Sequence, residues 1–180
     1  MRTLGRLLAR NRLDLVAGLC DGILTALTLA AGKMAAVAAY IDIGLALRVA
    51  CAAASSGAFM LFAAHYAQLR GELWEAEKQL NLTPHGRLAD SQLGRAILLE
   101  SAVGAVIGSA AGFGGAVVPL MVGAAAPGSG WLAIGVALVI LAALGVYLAR
   151  AVHGRPLRWA AALVLTGAAL AELGIHLELI

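Results

Sequence analysis

Residues 13–31 read LDLVAGLCDGILTALTLAA, a run of nineteen residues whose only charges are the carboxylates Asp14 and Asp21. A helix of about twenty apolar residues crosses the hydrocarbon of a bilayer, so this run predicts a membrane span. Arg2, Arg6, Arg10 and Arg12 precede it, and Gly32 and Lys33 mark its far end. That order imitates a secretory signal. The two carboxylates inside the run, and the further apolar segments behind it, predict a first span that is retained. Bulky Leu19 before Cys20 also speaks against a lipid-modified cysteine.

The same pattern recurs downstream at about 36–68, 95–123, 131–152 and 157–177. Hydrophobic residues make up 62% of the chain and charged residues 13%, which leaves too little polar surface to cover a soluble core. The expected fold is therefore all-α. It is a single polytopic domain over residues 1–180 with five transmembrane helices and a short cytoplasmic helical loop at 69–94. The second segment is longer than one straight crossing needs, so it tilts or projects beyond the membrane. Within the loop, Glu72 to Leu80 patterns as an amphipathic helix with Leu73, Ala76 and Leu80 on one face. Gly104, Gly108 and Gly112 recur at four-residue spacing, a stripe along which another helix can approach closely. Pro119 is expected to kink the outer end of that helix. Residues 126–129 and 153–156 read as tight turns.

Charge placement sets the expected orientation. Nearly all Arg and Lys residues lie in or beside the N-terminal tail, the 69–94 loop and the 151–158 turn, while the opposite side holds Lys33. An N-terminus in the cytoplasm and a C-terminus outside satisfy the positive-inside rule at every loop. The net charge of +3 thus comes from headgroup anchors, and no nucleic-acid partner is expected. Cys20 and Cys51 fall within apolar runs and read as small buried hydrophobes. No phosphate loop, nucleophile elbow or zinc spacing is present, so no enzyme is expected.

A charge inside hydrocarbon is costly, which makes each one a functional candidate. Asp21 lies eight residues above the inner boundary, roughly 12 Å deep at about 1.5 Å per residue. Ser55 and Ser56 reach a comparable depth, and Glu100 lies one to two turns above the inner end of the third segment. These groups could converge on one polar site, with Asp14, Glu72 and Glu75 at its cytoplasmic mouth. Carboxylate oxygens suit hard divalent cations, and softer ions accept Met or His. A ladder of carboxylates also suits protons, because burial away from water favours the protonated form of a carboxylate. Each residue has a plainer reading. Asp21 can hydrogen-bond a neighbouring helix, Glu100 can pair with a basic residue, Asp14 can be an interfacial charge, and Glu72 and Glu75 can form a solvated face. Arg48, Asp42, Glu172, His176 and Glu178 lie towards the outer side, where they snorkel or pair with one another. His65 reads as interfacial.

The first span, from Leu13 and Asp14 through Asp21-Gly22 and Thr25 to Leu29-Ala-Ala-Gly32, resembles that of the vacuolar iron transporter family. So do His65-Tyr66-Ala67-Gln68, Gly115-Ala-Val-Val-Pro119-Leu120 and Gly154-Arg-Pro156-Leu157-Arg158. The resemblance covers most of the chain and includes the five-span plan. It implies a homodimeric antiporter in the cell (inner) membrane that moves ferrous iron or manganese out of the cytoplasm against protons. No tightly bound cofactor is expected; the cation is cargo. Asp14 and Asp21 match the family's acidic positions. The family's Ser-Met-Gly motif in the second span, whose Met is a ligand, reads Ser55-Ser56-Gly57 here, and a family glutamate appears as Arg48. Met60, one turn beyond Ser56, is the thioether that could substitute, with packing as its other reading. The cytoplasmic loop lacks Met and holds only Glu72, Glu75 and Glu77 as glutamates. Two alternatives follow from these departures: a protein that keeps the fold without the metal site, or a transporter of another small solute held by Arg48.

Overall fold

In the computed structural model, residues 12–35, 42–79, 92–125 and 130–176 are described. They form five α-helices: α1 (Arg12–Ala35), α2 (Ile43–Gln79), α3 (Gln92–Ala125), α4 (Gly130–Ala151) and α5 (Pro156–His176). Each is long and apolar enough to cross a membrane, which is the architecture of a multi-pass membrane protein.

Local chemistry explains where the helices start. Asp42 caps α2: its Oδ2 accepts the Gly44 N–H at 3.1 Å, and its carbonyl accepts Ala46 N–H at 2.9 Å. A capping aspartate of this kind satisfies a backbone donor that the first turn leaves open. The expected start near residue 36 lies outside the described residues. Pro156 opens α5, where its missing N–H costs nothing.

The second segment was expected to give way to a separate amphipathic helix at Glu72. Instead α2 runs unbroken for 37 residues to Gln79, about 55 Å at the usual rise. Gly71 alone does not stop it, because Glu, Leu, Ala, Lys and Gln on either side are strong helix formers. The 34 residues of α3 likewise begin at Gln92, within the expected loop, and pass through Pro119 to Ala125. Both helices exceed a hydrocarbon core of about 30 Å and so extend beyond it at one end or both.

The glycine stripe determines the packing. A methyl group at Gly18 would sit on the carbonyl oxygen of Gly108, and one at Gly22 on that of Gly112. The two helices therefore touch backbone to backbone, the approach that small residues permit in membranes. The matched order (18 with 108, 22 with 112) makes α1 and α3 parallel. Gly57 beside Asp21, and His65 beside Gly104, make α2 antiparallel to both. Gly174 of α5 meets Thr28 and Ala31, so α5 also runs parallel to α1. Each helix thus reverses the last, and Arg12 and His176 lie at opposite ends of the bundle. α1 touches all four other helices. Around it Ile23, Ala26, Leu27 and Ala30 pack with Ala46, Ala50, Ala116, Leu120, Ala137 and Leu141 in a core rich in alanine.

Candidate functional site

Gly18 and Gly22 flank Asp21, and their contact with α3 sets where its side chain emerges. It enters a cavity of about 440 Å³ between α1, α2 and α3, shared with Ser56, Gly57, Met60, Gly108 and Ser109. Gly57 lies beside the carboxylate: a Cβ there would stand 3.5 Å from Asp21 Oδ2, at ordinary contact distance. Among the described residues the Asp21 carboxylate has no hydrogen-bond or ion-pair partner. The Thr25 hydroxyl donates to the backbone carbonyl of Asp21, at 2.9 Å.

The two hydroxyls in the cavity have spent their protons. Ser56 Oγ donates to the Ala53 carbonyl at 3.0 Å, and Ser109 Oγ to that of Val106 at 3.1 Å. Each has only an oxygen lone pair left to offer. Met60 contributes a thioether, a weak acceptor with no proton to give. Every polar side chain lining the cavity is therefore an acceptor, so its polar part suits an electropositive guest such as a cation or a proton. Ala17, Ala53 and Leu61 make the remaining wall apolar.

Asp14 lies two turns from Asp21 on the same face of α1, but it does not line this cavity. It is buried, 6% exposed, and its Oδ1 lies 3.1 Å from His65 Nε2 on α2. Gly104 makes room for both partners, since a side chain there would lie 2.7 Å from Asp14 Oδ2 and 2.9 Å from His65 Nδ1. One turn away on that face of α3, Ser101 is wholly buried, with no partner for its hydroxyl among the described residues. From the sequence His65 reads as interfacial; the structure pairs it with Asp14. Helix counting could have found the pair, because both residues fall within a turn of the predicted inner boundary.

The expected polar site thus divides. Asp21, Ser56 and Met60 share one cavity; Asp14 belongs to a second locus with His65. Glu100 is exposed on α3 and lines neither. Glu72 and Glu75 are exposed on the distal part of α2, and Gln68 Nε2 donates to Glu72 Oε1 at 3.3 Å. Glu72 is sixteen residues from Ser56, about 24 Å along the helix. Glu77 of the same stretch is buried. Ser55 is exposed, and its hydroxyl donates to the Cys51 carbonyl at 2.8 Å. Arg48 is exposed on α2. Asp42 is spent as a helix cap, and His176 Nδ1 contacts the Glu172 carbonyl at 3.1 Å. Glu178 lies outside the described residues. Among those residues no group of three His, Cys, Asp or Glu side chains could hold a metal ion. Cys20 is half-buried, whereas Cys51 is exposed rather than buried as expected.

Compared with family models, curated proteins and solved structures, the chain finds no match.

Proposed function

We propose that the protein is a proton-coupled transporter of a divalent metal cation, ferrous iron or manganese, of the vacuolar iron transporter type. The observation that carries this reading is the acceptor-only cavity around Asp21. A carboxylate without a partner in a membrane span needs a positive charge or a proton, and its neighbours supply oxygen and sulfur donors but no hydrogen. Borderline divalent ions accept that mixed donor set. Alternate occupation by metal and by proton couples their movements, since one carboxylate cannot hold both. The acidic signature of the first span supports the same reading. An ion pair between Asp21 and an arginine would speak for a fold without a site; among the described residues none forms.

One chain contributes a single carboxylate to the cavity, whereas manganese and ferrous ions favour about six ligands. Asp21, Ser56 and Met60 are exposed, so a second copy against this face would double the donor set. A homodimer fits that need. The cation would leave the cytoplasm with the N-terminal end of α1 facing inward.

The test is manganese or ferrous-iron uptake into proteoliposomes with and without an imposed pH gradient. The intact protein should accumulate metal faster under the gradient, and Asp21→Asn should lower uptake at least tenfold while the protein still folds. Ser56→Ala and Met60→Leu should give intermediate losses. Uptake unchanged in Asp21→Asn would overturn the mechanism.

A further inference from the structure

The turn between α4 and α5 gathers positive charge that no acidic side chain among the described residues pairs with. Val152 N–H donates to the Leu148 carbonyl at 3.0 Å, and Gly154 N–H donates to that of Ala149 at 2.8 Å. Between them His153 takes a left-handed conformation, φ 53°, which reverses the chain at the end of α4. The Arg155 carbonyl then accepts Arg158 N–H at 3.1 Å and Trp159 N–H at 3.3 Å, starting α5. This tight closure brings Arg150, Arg155 and Arg158 to one end of the helical hairpin.

All three arginines are exposed, and among the described residues their side chains have no ion-pair or hydrogen-bond partner. The sequence offers them none nearby, for no Asp or Glu occurs from Ser101 to Ala171. The Trp159 ring lies over Gly154, where a side chain would begin 2.6 Å from its Nε1. Its N–H, too, has no acceptor among the described residues. The side chains around the turn are thus rich in donors and poor in acceptors, the reverse of the Asp21 cavity. Apolar side chains flank them: Leu157 is 83% exposed and Val152 59%.

We propose that this turn is a binding site for the headgroup of an anionic phospholipid. Guanidinium groups bind phosphate oxygens in paired hydrogen bonds, and an indole sits at headgroup depth with its N–H towards the polar layer. Leu157 and Val152 enter the acyl region beside it. A free anion would gain from the arginines but not from these apolar neighbours. The charge complementarity and the apolar flank together select a lipid.

The test uses the full chain in a neutral detergent, titrated with phosphatidylglycerol and followed by thermal unfolding. Each basic residue near an anionic surface contributes roughly a fivefold gain in affinity, so removing two should raise the half-saturating lipid concentration roughly 25-fold. That shift is expected for Arg155→Gln/Arg158→Gln. Arg155→Lys/Arg158→Lys should recover most of the response, and Arg48→Gln, outside the turn, should leave it intact. Equal responses from the Gln double variant and the parent would overturn the proposal. So would equal stabilisation by phosphatidylcholine, which would mean acyl chains alone, or by inorganic phosphate, which would mean a soluble-anion site.

Discussion

Asp14 and Asp21 occupy one face of α1, yet their surroundings give them different work. Asp21 faces acceptors and an open cavity, whereas Asp14 is closed in by Gly104 and takes an imidazole from α2. Removing that imidazole leaves a buried carboxylate without its donor, at a cost of about 1–3 kcal/mol. His65→Leu is therefore expected to lower the apparent melting temperature in detergent by roughly 2–12 °C, at about 2–4 °C per kcal/mol for a chain of this size. His65→Gln, which keeps an N–H donor, should lose less. A Leu variant as stable as the parent would show that the contact contributes nothing. The mid-span placement of Asp21 was legible in the sequence, and it marks the residue as a candidate because a charge there is costly wherever it points. The partner of Asp14 was legible only in depth: helix counting puts His65 at the same level, but does not place it on a facing side. That facing depends on Gly104 letting two other helices meet beside α3, and no local pattern states which helices those are.

The glycine spacing on α3 was readable as a packing stripe, but its partner came only with the structure. Gly18 and Gly22 of α1 meet Gly108 and Gly112 through backbone atoms, which cannot rotate away as a side chain can. Gly18→Val should therefore be poorly tolerated, because relief requires the two helices to separate. Overpacking of this kind costs about 1–3 kcal/mol or more, equivalent to a drop of roughly 2–12 °C or more in apparent melting temperature. Gly114 on the same α3 has open space where a side chain would go. Gly114→Ala should accordingly match or exceed the parent's stability. Equal tolerance at both positions would mean that the α1–α3 contact is not tight. Helix ends were less legible than helix contacts. Leu69, Leu73 and Ala76 suit either an amphipathic helix lying on the membrane or one continuous with α2. The choice depends on residues 69–71, where a single glycine is too weak a break to decide it.

Across the whole molecule, charge and helix direction agree. The parallel α1 and α3 and the antiparallel α2 place Arg12, Arg70, Lys78 and Arg95 at the end of the bundle that holds Asp14 and His65. The α4–α5 turn reaches that end as well, with Arg150, Arg155 and Arg158. The other end has Lys33, while Arg48 lies about a turn inside α2. Such an imbalance is what the positive-inside rule reads, and it predicts that the arginine-rich end faces the cytoplasm. Single cysteines placed in a background lacking Cys20 and Cys51 can test this. Gln79→Cys and Ala151→Cys should react with a membrane-impermeant thiol reagent only after the membrane is opened. Ile43→Cys and Ala125→Cys should react in intact cells. The reverse pattern would invert the protein and place Asp14 and His65 near the outer surface, and a proposed export path would then begin on the wrong side. Labelling of all four from one side would contradict the alternation of helix directions itself. The orientation therefore bears directly on the proposed transport: it decides whether a cation entering from the cytoplasm would meet the Asp14–His65 pair before reaching Asp21.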